Sequence, residues 1–470
     1  MAQISNPWEI DPVKFSSEVT ELCHQKYKTI GKGGKPLTIQ NRLEWTVIAA
    51  IVACHVKDAG GYYLECVSLG SGLKCLPQSR LSRSGDLVHD SHAEVLSRRG
   101  FIKLRSYETI DYIRKLLSES TYFYMKDGSS FVSRNSHITF HLYVSQAPCG
   151  DASTKSLALH QSPEEAELYA SSYSDLRDSS HEINREKEKL NENEIMVLKG
   201  KDGFRRGRID YDSYGVLRTK PDPQPIFMNG VIIGRVDSEP TLSMSCSDKI
   251  ALWNVVGLQS ALLSELILPI YLSTIIVGDY FSREDLKRAF YGRIQNLSNL
   301  PDGYATHEPT IIPSTRKFER SNSFLSELFP GENLIPSSTA AVWIKGLSSA
   351  EILVSGRKQG AIRSKKTGLY SHKTMQVTSF MTKLNLFQSI GSLLNLFPDN
   401  NVPPRLRLFM ESRNKSLSYN QLKLTSENYQ NAKKALRSQT FNQWIKCPSN
   451  IYESFNIDGE LIDDRVDDEG

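Results

Sequence analysis

Three short stretches carry residue types that could hold a metal and work with it: His92-Ala93-Glu94, Pro148-Cys149-Gly150 and Ser245-Cys246-Ser247-Asp248. An imidazole and two thiolates suit zinc, and three protein ligands leave a fourth position for water, as in a catalytic rather than a closed structural site. Glu94 would then be a carboxylate close to the metal without being a ligand, able to move a proton from an acidified water to a leaving group. Residues i and i+2 do not share a helix face, so His92 and Glu94 can serve one metal only if the helix starts irregularly there. A fourth protein ligand would make the site structural instead. His89 and His141 are the nearest candidates for that role.

Each stretch is weak alone, because ten histidines make an accidental HxE unsurprising and free cysteine is often just a buried apolar residue. Placement strengthens the set. His92 opens a predicted helix, Cys149 follows a predicted strand, and Cys246 opens a second helix, where free N–H groups and the helix dipole favour a thiolate.

The elements that must position these residues follow from periodicity. RLEWTVIAAIVAC, from about 43 to 55, places Trp45, Val47, Ile48, Ile51 and Val52 at intervals that predict a helix lying on a core. YYLECVSLG predicts a strand and GSGLKC a turn, and the polar LPQSRLSRSGDLVHDS leads into a long helix, HAEVLSRRGFIKLRSYETIDYIRKLL. HITFHLYVS, residues 137–145, predicts a buried strand that feeds a turn at Ala147, Pro148 and Gly150. Residues 244–270 predict a capped helix ending before Pro269, YLSTIIVGDYF a strand, SREDLKRAFYGRI a capped helix, and 421–437 a further helix. Strands alternating with helices imply an α/β layered fold.

Composition suggests the divisions. Residues 1–40 read as a lead-in and 41–450 as the main domain, with a charged, serine-rich insertion at 155–210, a polar loop at 298–340 and an acidic tail at 451–470. The formal charge of +4 conceals a tail of net −6 over residues 457–470, which leaves the rest at +10. A mildly basic body is compatible with a nucleic-acid partner without requiring one. Seven scattered cysteines, no signal-like N-terminus and no long apolar run predict a soluble intracellular protein with reduced thiols.

HAEVLSRRG, SQAPCGDA and MSCSDKIALWNVVGLQ together resemble the editing-type adenosine deaminases, a family of double-stranded RNA editors and tRNA-specific enzymes. The likeness runs from about Glu44 to Pro448. The two cysteines lie almost a hundred residues apart, unlike the close PCxxC pair of most zinc deaminases. The resemblance implies a cytidine deaminase-like fold, a mixed sheet with helices on both faces and a helical C-terminal extension. It also implies Zn²⁺ on His92, Cys149 and Cys246, and Glu94 as general acid/base for conversion of adenosine to inosine. It further implies a buried inositol hexakisphosphate held by Arg98, Arg99, Lys249, Lys366, Tyr419, Lys423, Tyr429, Lys433 and Trp444, with Lys249 joining it to the metal region. Leu252, where the editors have arginine, and WIKCP, one charge short of their tryptophan motif, depart from the pattern.

The first forty residues are too few for a double-stranded-RNA-binding module, so RNA is expected to lie on the domain's own surface. Lys74, Arg80, Arg83, Arg218, Lys220, Arg357 and Lys358 are the candidate contacts. Such phosphate contacts position an RNA without reading its sequence. The resemblance to the tRNA member implies the anticodon stem-loop of alanine tRNA as partner, with the adenosine just 3′ of the anticodon as target, and no obligate protein partner. Its alternatives are editing of messenger RNA and a non-catalytic RNA- or inositol-phosphate-binding protein.

Overall fold

The computed structural model describes residues 6–39, 42–57, 60–114, 123–126, 130–133, 137–153, 226–228, 231–233, 241–360, 378–394, 417–441, 444 and 447–462. The expected insertion at 155–210, together with Arg218, Lys220 and Lys366, lies outside the described residues. An eight-stranded mixed sheet forms the centre. Its strands, in chain order, are β1 (Ile48–Val56), β2 (Tyr62–Ser71), β3 (Ile138–Gln146), β4 (Leu272–Asp279), β5 (Thr310–Pro313), β6 (Thr339–Ile344), β7 (Glu351–Val354) and β8 (Arg357–Lys358). In space they run β5-β4-β3-β1-β2-β6-β7-β8. Pairing is parallel for β5 with β4 and β4 with β3, and antiparallel elsewhere.

The expected helix at 43–55 is instead a short strand, Arg42–Trp45, followed by β1 at the heart of the sheet. The apolar positions fit helical spacing only because nearly every position is apolar. Such a run suits a strand buried on both faces, and β1 is buried from Ile48 to His55. Alternation then divides it: Ala49, Ile51 and Ala53 join one core cluster, and Ile48, Ala50, Val52 and Cys54 another.

Helices cover both faces. On the first lie α2 (Ala93–Arg114), α3 (Cys246–Val256) and α4 (Arg283–Phe290), with α5 (Lys383–Leu394), α6 (Tyr419–Leu424) and α7 (Glu427–Gln439) beyond them. The second is closed by α1 (Pro12–Lys28), which starts at Asp11, whose carboxylate caps Lys14 N, and buries Phe15, Val19, Cys23 and Tyr27. Among the described residues, the lead-in thus contributes six of the seventeen buried residues of the core on this face.

Two further segments differ from expectation. The polar stretch 298–340 supplies the edge strand β5 and a capped helix at Asn322–Leu328. The start of the acidic tail is packed, with Ser454, Phe455 and Asn456 buried and Phe455 O accepting from Tyr419 N at 2.8 Å. The 421–437 helix is two, α6 and α7, broken at Thr425 and Ser426.

Candidate metal centre and the cavity beside it

The chain brings its three ligand candidates together. His92 Nδ1 lies 3.6 Å from Cys149 Sγ and 3.5 Å from Cys246 Sγ, and all three residues are buried. Tetrahedral zinc, with Zn–S of about 2.3 Å and Zn–N of about 2.0–2.1 Å, requires an S···N separation of roughly 3.5 Å. The donor set therefore fits zinc in distance as well as in chemistry. His92 is the last residue of a short strand, Asp90–His92, and α2 begins one residue later. The helix-face conflict disappears, because His92 precedes the helix that carries Glu94 in its first turn. Glu94 is itself buried. Neither His89 nor His141 joins the cluster; His141 sits against Trp8 and Phe15 on the α1 side of the sheet.

Local sequence explains the placement. Gly70 on β2 lets α2 approach so closely that a Cβ there would fall 2.5 Å from Ala93 O and 2.7 Å from Leu96 Cβ. Cys149 sits on the turn after β3, where Gly150 has φ +102° and an added Cβ would meet Ser245 Oγ at 2.2 Å. Ser245 caps α3 by accepting from Asp248 N at 3.2 Å, which puts Cys246 at the helix's first position. Its N–H donates to Cys149 Sγ at 3.3 Å, the contact a thiolate favours at a helix N-terminus. Ser247 fastens turn to helix: its N–H donates to Cys149 O at 3.0 Å, its hydroxyl donates to the same oxygen at 2.9 Å, and it accepts from Ala152 N at 3.1 Å.

A cavity of about 310 Å³ opens beside this centre. Arg98, Arg99, Lys249, Tyr419, Lys423, Tyr429, Lys433 and Trp444 all line it, as does Leu252. Lys249 Nζ reaches Asp90 Oδ2 at 2.6 Å, and Asp90 Oδ1 accepts from His92 N at 3.0 Å, so cavity wall and candidate metal ligand share one carboxylate. Burial depresses both Arg98 and Arg99, and Arg98 Nε and one Nη are buried with no hydrogen-bond partner among the described residues. Burial also pushes Lys433 down to about 7, with Lys423 and Arg437 adding to the effect. Lys383 and Glu453, which the sequence did not single out, line the cavity too. Burial alone would raise the Glu453 carboxyl, but Lys383, at 2.7 Å, and Lys423 outweigh it and hold it well below the carboxylate range.

Residues 68–448 match the model of the adenosine-deaminase (editase) domain. The chain belongs to that family. It is 30% identical to the tRNA-specific adenosine deaminase 1 of Drosophila melanogaster, over 93% of this chain and 96% of the relative. Identity to the human tRNA-specific adenosine deaminase 1 is 28%, over 93% of this chain and 99% of the relative. The mouse double-stranded RNA-specific editase B2 is also 28% identical, over 73% of this chain but only 40% of its own length.

On the surface of this editase domain Lys74, Arg80 and Arg83 are exposed. Arg357 pairs with Asp86 at 3.4 Å and Lys358 with Glu351 at 3.9 Å, so part of their charge is answered within the fold. The bond from Val88 N to Gly356 O, 2.9 Å, sets the β7–β8 turn against the loop that carries Arg80 and Arg83. No helix among the described residues is long and apolar enough to cross a membrane.

Proposed function

We propose that this editase-family protein is a zinc-dependent tRNA deaminase that converts adenosine to inosine just 3′ of the anticodon of alanine tRNA. The observation that carries the reading is the buried His92, Cys149 and Cys246 cluster at zinc distances, with Glu94 opening the adjoining helix. Zinc held by those three residues would supply Lewis acidity, making a water nucleophilic near neutral pH. Glu94 would carry a proton from the attacking water to the departing amine, so that adenosine and water yield inosine and ammonia. Burial of Glu94 keeps bulk water from short-circuiting the transfer.

Support for tRNA comes from the relatives named tRNA-specific, which match this chain over almost the whole of both sequences, whereas the editase matches over less than half of its own. An anticodon loop presents unpaired bases, so little energy is needed to bring one into a pocket. Lys74, Arg80, Arg83, Arg218, Lys220, Arg357 and Lys358 are the proposed phosphate contacts. The basic cavity suits a polyanion such as inositol hexakisphosphate: its lining cations outnumber its carboxylates, and the buried donors of Arg98 call for acceptor oxygens. Lys366 is the remaining proposed ligand.

Incubating the protein with total tRNA and sequencing for inosine tests the reading. New inosine is expected beside the anticodon of alanine tRNA, and Glu94→Ala should keep its zinc while turnover falls by about 10²–10⁴-fold. Inosine in messenger RNA with tRNA untouched would overturn the substrate, and activity of Glu94→Ala within tenfold of the parent would overturn the shuttle.

A further inference from the structure

Each of the three ligand candidates has an aspartate two residues away, and each aspartate meets a cation. For His92 it is Asp90 with Lys249, described above. For the thiols it is Asp151, beyond Cys149, and Asp248, beyond Cys246. Their cations come from one short segment, α4 and the turn that follows it. Arg288 Nε lies 3.1 Å from Asp151 Oδ2, one Nη donates to Asp151 O at 3.1 Å, and the other binds Asp285 Oδ1 at 2.6 Å. Arg293 Nη2 lies 2.6 Å from Asp248 Oδ1, its Nε donates to Ala289 O at 3.0 Å, and its guanidinium lies 4.7 Å from the centre of the Phe441 ring.

From this arrangement we infer that Arg288 and Arg293 are positioning residues for the two thiol ligands, fixing the Cys149 turn and the start of α3 relative to each other from a common anchor.

Asp151 and Asp248 are buried, 1% and 0% exposed, so each carboxylate requires a fixed partner. A guanidinium is a planar fork, and Arg288 uses it to grip both the side chain and the backbone of Asp151, which fixes the direction of the turn as well as its distance. At Asp248 the other carboxylate oxygen accepts from Ser245 Oγ at 2.6 Å, so Arg293, Asp248 and the cap of α3 are one connected set. Two thiolates beside two uncompensated carboxylates would repel one another; the arginines bring the surroundings close to neutral. Groups that orient metal ligands from behind contribute to affinity without touching the metal.

The inference rests on the zinc reading, and the test separates the two. The protein, with its ordinary metal, would be compared with Arg288→Gln, Arg293→Gln and the two lysine variants. Zinc affinity would be read by competition with a chromophoric chelator and site geometry by the visible absorption of the cobalt-substituted protein. Both glutamine variants are expected to stay folded, to bind zinc about 10–100-fold more weakly and to show altered cobalt bands. Lysine should restore part of the affinity, because charge returns without the fork. Arg316→Gln, which breaks an equally short pair with Glu21 on the far side of the sheet, serves as a control and should bind zinc within twofold of the parent. Glutamine variants within twofold of the parent, with unchanged cobalt spectra, would overturn the inference and leave the zinc reading standing. A parent that takes up no stoichiometric zinc would overturn the zinc reading itself. Should Arg288→Gln fail to fold, Asp151→Asn breaks the same pair with an isosteric residue; global unfolding there too would also count against a positioning role.

Discussion

Replacing Lys433 by methionine, in protein produced where no inositol polyphosphate is made, should remove a pH dependence of stability that the parent displays. Lys433 is half-buried in the cavity wall, and burial, with Lys423, Arg437 and Lys383 nearby, brings its amine down to about 7 against the pull of Glu453. In the unfolded chain a lysine titrates near about 10.4. Between those values the unfolded state holds one proton more than the folded state, so stability rises with pH at about 1.4 kcal/mol per unit. At pH 7 the accumulated penalty is roughly 4 kcal/mol, an upper value because the cavity admits water. With an unfolding entropy of about 2 cal/mol/K per residue, a chain of this size should gain about 1.4 K in melting temperature per pH unit. The assay is thermal unfolding of parent and Lys433→Met at half-unit steps from pH 7 to 9.5, with and without saturating inositol hexakisphosphate. The parent should lose its slope relative to the variant when the polyanion is added, because bound phosphates keep Lys433 charged at every pH in the range. A parent parallel to the variant without polyanion would refute the depressed amine, and a slope that survives saturation would refute the polyanion cavity.

Two substitutions probe the frame around the site. Gly150→Ala should cost about 1–3 kcal/mol and weaken zinc binding, because the new Cβ would sit 2.2 Å from Ser245 Oγ on a backbone at φ +102°; full zinc content with an unchanged melting temperature would contradict this. Phe15→Ala should cost about 3–5 kcal/mol, since its ring is fully buried against Trp8 and His141. Chemical denaturation checks it, and a loss under 1 kcal/mol would mean α1 is an appendage rather than part of the core.

The candidate ligand cluster was legible because its residues are chemically unusual and announce their elements: a serine cap before Cys246, a turn proline and glycine around Cys149, a long helical pattern after His92. Even there the sequence suggested a conflict over His92 and Glu94 that only the strand-to-helix junction at Ala93 removes. The stretch around β1 was misread because a strand buried on both faces has neither the alternation of a half-exposed strand nor a polar helix face, and dense apolar runs satisfy either template. Lys383, Glu453, Arg288 and Arg293 were invisible for another reason. Nothing local marks them, and their meaning lies in partners distant along the chain, such as Arg288 and Asp151, 137 residues apart.

Cys149 and Cys246 meet across 97 positions of sequence, and the contact between turn and helix is made by the two cysteines and the residues beside them, Ser247 above all. The entropy of closing a flexible chain grows only with the logarithm of its length, so doubling the span between the two candidate ligands costs about 0.6 kcal/mol. Families with the compact PCxxC pair have no such latitude, because any insertion there changes the ligand geometry itself. Splitting the candidate pair makes the length of chain between Ala152 and Ser245 weigh little on the site, so long as Gly150, Asp151 and Ser245 are kept at its two ends.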